Sequence, residues 1–266
     1  MSAPRLHASS RSLQIVDGNN YILKRLYSDI SSFSVRGIIE EIRACPVPPV
    51  FVFDGPRSLV RRRKVYPEYK AAHEKRNPKT QPVRDQVFPI LNMLIDLVKL
   101  THAVSLRVPG FEADDVIAAL ALAEQRPVEI VSTDQDFLQL LVHPHVALQV
   151  KTLDVEPRFV RLYKTMVGDH SDGIPGMRSF GPSKWARLDK VAALHAFTTR
   201  QTPSPGNPFG ISPAFGESFS TSFASLLPFW DVVGFLPVDY ALLTKHIHVG
   251  VADYAAIDNI LKGFFQ

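Results

Sequence analysis

Val108-Pro-Gly-Phe-Glu112-Ala-Asp114-Asp115-Val-Ile-Ala-Ala-Leu120, followed shortly by Val128-Glu-Ile-Val-Ser-Thr-Asp134-Gln-Asp136, is the stretch on which the reading of the chain turns. It sets five carboxylates, Glu112, Asp114, Asp115, Asp134 and Asp136, at the start of one expected helix and at the end of the strand that follows it. At an effective dielectric of about 20, two carboxylates roughly 4 Å apart repel by about 4 kcal/mol. Such a cluster is therefore either splayed into solvent or held together by cations. Oxygen-only ligands favour Mg²⁺ or Mn²⁺ over zinc, which prefers His and Cys. The residues alone point to a multi-carboxylate divalent-metal site.

The same strand-then-aspartate pattern occurs twice before it. Leu13-Gln-Ile-Val16 reads as a short buried strand closed by Asp17-Gly18-Asn19-Asn20, and Pro49-Val-Phe-Val-Phe53 as a second, closed by Asp54-Gly55. Residues 103–108 and 146–150 are further expected strands. Apolar spacing over Tyr21–Cys45 fits one broken helix or two short ones, and a further helix is expected around Val87–Leu100. Strands alternating with helices imply an α/β fold: a doubly wound, mostly parallel sheet of about five strands with flanking helices. In such sheets ligands bind beyond the carboxyl ends of the strands, so Asp17, Asp54 and Asp134 would converge there. Each of the three also fits a plain capping role.

Between Asp54 and the helix near Val87 lies a basic segment that contains Arg61-Arg62-Arg63-Lys64, Tyr66, Tyr69, Lys70, His73, Lys75, Arg76 and Lys79. It is too long and too basic for an ordinary βα loop. One reading is a solvated charged face. The other is a sleeve for single-stranded nucleic acid, with cations for phosphates and aromatic faces for unstacked bases. Further on, Gly168-Asp169-His-Ser-Asp172-Gly173-Ile-Pro175-Gly176 and Gly181-Pro-Ser-Lys184 read as a hairpin between two helices, either a tight packing turn or a place where backbone amides approach a phosphate. Gln201–Ser222, rich in Pro, Gly and Ser, reads as a loop, and Ala224–Gln266 as helical packing elements.

Composition narrows the partners. With 266 residues and 45% hydrophobic content, the chain can bury a sizeable core. The single Cys45 excludes an internal disulfide framework, and no Cys/His spacing suggests structural zinc. A reducing, cytoplasmic setting is expected, with no membrane association, since no apolar run reaches 18 residues and the first residues lack a signal-like core. A net charge of +4 and a pI near 9.2 coexist with the acidic cluster, so the remaining surface is basic enough to suit a polyanion such as DNA.

Taken in order, Val16-Asp17-Gly-Asn, Phe53-Asp54-Gly, Tyr66-Pro-Glu-Tyr69-Lys70, Pro109-Gly-Phe-Glu112-Ala-Asp114-Asp115, Ser132-Thr-Asp134-Gln-Asp136-Phe and Gly168-Asp169-His-Ser-Asp172-Gly-Ile-Pro-Gly176 resemble the polymerase-I-type 5′ nuclease and flap endonuclease family, which includes bacterial and bacteriophage 5′-3′ exonucleases. The resemblance implies a nuclease core over 1–160, with a basic helical arch at about 57–85. It further implies a helix-three-turn-helix duplex-binding region over 161–200, and it leaves 201–266 unmatched. It assigns Asp17, Asp54, Glu112, Asp114, Asp115, Asp134, Asp136, Asp169 and Asp172 to a two-metal site for Mg²⁺ or Mn²⁺, and makes Lys70 the lysine that contacts the scissile phosphate. Arg61, Arg62, Arg63, Lys64, Tyr66, Tyr69, His73 and Arg76, with Gly176, Gly181 and Lys184 of the hairpin, become nucleic-acid contacts, and K⁺ is implied at the hairpin. His73 stands near a position where the family usually has arginine. The implied protein is a monomer in a bacterial or phage-infected cell. It would act on 5′ ends, flaps and nicks in DNA, with replication proteins as further partners. Two other readings stand beside it: a DNA-junction binding protein with weak catalysis, and a ribonuclease with a related acidic sheet.

Overall fold

The computed structural model describes residues 12–74, 81–149, 153–206 and 209–265. It divides into two compact units: 1–58 with 76–151 and 236–266, and 59–75 with 152–235. These limits cut across the boundaries read from sequence. The basic segment is divided, 59–75 belonging to the second unit and the rest to the first, and the last thirty or so residues return to the first.

The first unit is built on a six-stranded sheet: β1 (Leu13–Asp17), β2 (Val50–Phe53), β3 (Val104–Arg107), β4 (Val128–Val131), β5 (Val146–Leu148) and β6 (Ile247–Val249), in the order β5-β4-β1-β2-β3-β6. All neighbours are parallel except β3 and β6. The first five strands are those expected, and the antiparallel sixth is an addition. Ile247, His248 and Val249 are all exposed, so the half-buried alternation that betrays an ordinary strand is missing there.

Parallel strands need crossovers, and here these are helices whose apolar stripes cover the sheet. Tyr21–Cys45 resolves into two helices, Gly18–Leu26 and Ser32–Arg43, the second capped by Ser31 Oγ accepting from Ser34 N at 3.2 Å. Gln81–Val98 buries Val87, Ile90, Leu91, Leu94, Ile95, Leu97 and Val98 against Phe51, Phe53 and Ile38. Ile257 and Leu261 of the helix Tyr254–Phe264 join the same core.

The second unit contains the helices Val60–Val65, Ala71–Glu74, Val160–Val167, Pro182–Arg187, Lys190–Thr199 and Pro213–Val233. The last corrects the expected loop over Gln201–Ser222. Ser212 accepts from Phe215 N at 3.2 Å and Pro213 takes the first helical position, a start signal hidden in a Pro/Gly/Ser-rich run. Phe215, Phe219, Phe223, Leu226 and Trp230 then form one apolar stripe against Phe197, Trp185 and Met166.

Arg62 corrects a second expectation. It is 2% exposed, and its guanidinium donates to the carbonyls of Val232 (2.9 Å) and Gly234 (3.2 Å) at the end of that helix. Arg161 does the same for Trp230, at 2.9 and 2.7 Å, and burial lowers its pKa to about 10. Cations here satisfy carbonyls that a helix end leaves without intrahelical partners. Arg62→Ala is therefore expected to lower unfolding free energy by about 2–4 kcal/mol, whereas Lys64→Ala, on the exposed side of the same helix, should stay within about 0.5 kcal/mol. Urea unfolding followed by tryptophan fluorescence checks this, and equal effects would contradict the buried role of Arg62.

Candidate active site

The chain runs from β1 to β2 to β3 on one side of the sheet, then returns to lay β4 and β5 on the other side of β1. The strand order thus reverses between β1 and β4, and in sheets of this kind ligands bind beyond the carboxyl ends at that point. Val16 pairs with Val131, which brings Asp17 level with Ser132. The Ser132 hydroxyl donates to Asp17 Oδ2 at 3.0 Å and accepts from Asp134 N at 3.1 Å, so one side chain ties two of the aspartates. Asp17 Oδ1 accepts from Asn20 N at 3.1 Å and caps the helix Gly18–Leu26. Asn20 Oδ1 in turn accepts from Thr133 N and Oγ1, at 3.1 and 3.0 Å.

Asp54 follows β2. Its Oδ1 accepts from Ala113 N at 2.8 Å, the first amide of the helix Ala113–Ala123, and its Oδ2 from Asn19 Nδ2 at 3.1 Å. That helix is thus capped from another strand, while its own preceding residue Glu112, itself buried, makes no side-chain capping bond. Asp114 Oδ1 accepts from Asp115 N (2.8 Å) and Asp134 Oδ1 from Asp136 N (2.9 Å). Two glycines permit the crowding. A Cβ on Gly18 would lie 2.2 Å from the Phe53 ring, and one on Gly55 1.8 Å from the Val108 carbonyl oxygen.

Burial raises the Asp17 pKa to about 7, and the negative charges of Asp54 and Asp134 add to the shift, against the lowering effect of the Asn20 and Ser132 donors. These three carboxylates are therefore electrostatic neighbours. Among the described residues no three His, Cys, Asp or Glu side chains surround one point closely enough to grip an ion as they stand. Asp17, Asp54, Asp114 and Asp134 are instead turned onto nearby donors. The donor set still fits a hard divalent cation, being all oxygen, and such a cation would favour the ionised form of Asp17. Asp115 is fully buried, and its Oδ1 accepts from Leu236 N at 2.7 Å, which gives it a tethering role. Asp136 is buried at the start of the 3-10 helix Gln135–Val142. Asn19, Asn20 and Ser132 were read from sequence only as turn chemistry and motif; the signal for their holding role was amide and hydroxyl side chains next to each strand-end aspartate.

The remaining candidates, Arg76 apart, lie in the second unit. Asp169 Oδ2 meets Lys164 Nζ at 2.8 Å, and its Oδ1 accepts from Ser171 N at 2.9 Å. Burial pushes its carboxyl up, but the Lys164 ammonium and Ser171 hold it below the usual range. Asp172 Oδ1 lies 3.7 Å from Lys70 Nζ, and its carbonyl accepts from Lys70 N at 3.0 Å. Lys70 holds a left-handed backbone, φ 52°. Gly168 and Gly176 have positive φ, and a Cβ on Gly176 would meet Gly168 N at 2.6 Å, so the turn packs too closely for a side chain there. Gly181 faces open space, and Lys184 Nζ donates to the Ser179 carbonyl at 2.6 Å.

Two aromatic contacts expected for bases are used otherwise. Tyr69 is 1% exposed among Ile174, Val232 and Val233. Tyr66 donates to the Gly173 carbonyl at 3.1 Å and packs edge-on against Phe229. A sleeve needs exposed ring faces, and the small core takes those of Tyr69 while holding Tyr66 partly buried against it. Arg63 Nε donates to the Tyr69 carbonyl at 3.0 Å, which leaves Arg61 and Lys64 as exposed members of the basic run. The side chains of His73 and Arg76, and the residues Lys75 and Lys79, lie outside the described residues.

Residues 12–165 match the family described as the 5′-3′ exonuclease, N-terminal resolvase-like domain. A 5′-3′ exonuclease of Aquifex aeolicus is 30% identical over 65% of this chain and 66% of its own length. A thermostable DNA polymerase I of Thermus thermophilus is 35% identical over 52% of this chain and 17% of its own length. The chain thus spans less than two thirds of these relatives. In fold it is similar to bacteriophage T5 5′-exonuclease with bound divalent zinc, with TM-score 0.62, 21% identity, and coverage of 88% of this chain and 96% of that one. A T5 flap endonuclease complexed with DNA and metal ions gives TM-score 0.59 at 21% identity, covering 84% and 89%.

The crowding of Asp17 has a measurable consequence. Its pKa is raised in the folded state, from 3.8 to about 7, so the folded state binds the extra proton. Its contribution to stability is complete below about pH 4 and is lost as pH rises to about 7, up to roughly 4 kcal/mol at 1.36 kcal/mol per unit. In chelator-containing buffer, the stability of Asp17→Asn minus that of wild type should grow between pH 4 and pH 7 by up to that amount. A difference independent of pH, measured by urea titration, would refute the burial of Asp17 beside its two charged neighbours.

Proposed function

Because the chain belongs to the family of the 5′-3′ exonuclease N-terminal resolvase-like domain, we propose that it is a structure-specific 5′ nuclease that hydrolyses phosphodiesters at the 5′ ends, flaps and nicks of DNA. The observation that carries the reading is the group of mutually repelling strand-end carboxylates, the half-buried Asp54 and Asp134 around the buried Asp17. Nothing in packing alone rewards placing three of them together, and a divalent cation does.

In this reading Asp17, Asp54, Glu112, Asp114 and Asp134 hold two Mg²⁺ or Mn²⁺ ions, with Asp136 beside them. Bound there, the ions would activate water and stabilise the leaving oxygen of the phosphodiester. The chain's own groups do the rest. Ser132, Asn19 and Asn20 orient the carboxylates, and the amide end of the helix Ala113–Ala123 offsets part of their charge. Asp115 fastens that helix to Leu236. In the second unit, Lys70 is the proposed contact to a substrate phosphate, while Arg61, Lys64 and Lys184 bind the DNA backbone. Asp169 and Asp172 keep their lysine partners in check, and K⁺ at the hairpin remains part of the proposal. Among the described residues no helix is long and apolar enough to cross a membrane.

Incubation with 5′-flap, nicked, single-stranded and RNA-containing substrates, with and without Mg²⁺, tests the reading. Cleavage at 5′ ends only when Mg²⁺ is present is the expected result. Binding without cleavage would favour the junction-binding protein, and cleavage confined to RNA would favour the ribonuclease. Asp134→Asn should lower turnover by about three orders of magnitude, roughly 4 kcal/mol of lost barrier lowering, with DNA affinity in Ca²⁺ nearly unchanged. Retention of more than about a tenth of wild-type turnover, a loss of 1.4 kcal/mol or less, would remove Asp134 from the metal site.

A further inference from the structure

Arg107 ends β3, beside the strand that delivers Asp54. Phe53 and Arg107 are register partners, and Arg107 Nε donates to the backbone carbonyl oxygen of Asp54 at 2.9 Å. The residue is exposed, and no other hydrogen bond of its side chain occurs among the described residues. One edge of the guanidinium is therefore fixed, and its Nη groups make no hydrogen bond among the described residues. A planar fork held in this way has lost much of the freedom it would otherwise give up on binding a phosphate with two parallel hydrogen bonds.

Arg57 adds an independent observation. The loop after Asp54 is laced to the loop after β3: Gly55 N donates to the Phe111 carbonyl at 3.0 Å and Gly110 N to that of Pro56 at 2.8 Å. Arg57 follows directly, exposed, with a left-handed backbone at φ 58°. Glycine suits that conformation better than any L residue with a long side chain. If the turn alone mattered, arginine would be a poor occupant. Strain of this kind tends to persist where a side chain is needed in place.

We propose that Arg107 and Arg57 form a phosphate-binding rim on the first unit, which grips the DNA backbone near the bond that is cut. The assignment rests on the nuclease reading above. Its particular feature is coupling: Arg107 hangs on the peptide of Asp54, whose carboxylate is itself fixed by Asn19 and Ala113. A phosphate held by Arg107 is thus indexed to a metal-binding aspartate through a single residue.

The test is the salt dependence of affinity for a 5′-flap duplex in Ca²⁺, with thermal unfolding as a control on the fold. Removing one phosphate contact flattens the plot of log affinity against log salt by about one unit. Arg107→Ala and Arg57→Gly should each do so, and the double variant should flatten it by about two units. Arg107→Lys should keep the wild-type slope yet bind several-fold more weakly, since it retains the charge and lacks the fork. Arg57→Gly should unfold at an equal or higher temperature than wild type. Should Arg107→Ala fail to fold, Arg107→Gln carries the same expectation. If wild type binds and cuts DNA while the slopes of the Arg107 and Arg57 variants match its own, the rim is wrong and the nuclease reading stands. If wild type shows no salt-dependent binding to DNA at all, both fall.

Discussion

The carboxyl group of Asp17 is out of water and within electrostatic reach of Asp54 and Asp134, and much of the first unit exists to make that tolerable. The sheet order forces the meeting, since β2 and β4 flank β1 and each leads into an aspartate. Glycines at 18 and 55 let an aromatic ring and a backbone carbonyl come closer than any side chain would permit. The relief is local: amides of Asn20, Ala113 and Asp136, the Asn19 side chain and the Ser132 hydroxyl are each aimed at one carboxylate oxygen. The apolar core under the helices Gly18–Leu26, Ser32–Arg43 and Gln81–Val98 supplies the opposing burial that keeps the strand ends pressed together.

The sheet and its acidic rim were legible because both are written in short-range patterns. Apolar runs closed by Asp-Gly or Thr-Asp fix a strand, its end and its carboxylate at once, and β1, β2 and β4 all read that way. β6 was illegible for the opposite reason: three exposed residues paired on one side only carry no alternation. The helix Pro213–Val233 was masked by composition, although Ser212-Pro213 and the i, i+4 aromatic stripe were present. Counting Pro, Gly and Ser hid a start signal that depends on their order.

The basic run shows where residue type misleads most. Arg61, Arg62 and Arg63 are identical as letters, yet one turn of helix sends Arg62 inward to the carbonyls of Val232 and Gly234 and turns Arg63 to that of Tyr69. A guanidinium can serve a helix end as well as a phosphate, because both present oxygen acceptors with negative potential. Only tertiary contacts more than 150 residues away in sequence separate the two uses. Tyr69 follows the same logic, since the ring that could stack on a base instead covers Ile174 and Val233.

The first unit is assembled from separated stretches of chain, and the last of them, 236–266, supplies β6, the amide of Leu236 that satisfies Asp115, and the helix that closes the core over Ile257 and Leu261. During synthesis, the strands bearing Asp17, Asp54 and Asp134 leave the ribosome long before these groups do. The carboxylates thus wait, beside an incompletely covered sheet, for a segment some hundred residues away to emerge at about 5–20 residues per second. The growing chain passes several seconds without its full first unit, and acquires it only when the other unit is already made.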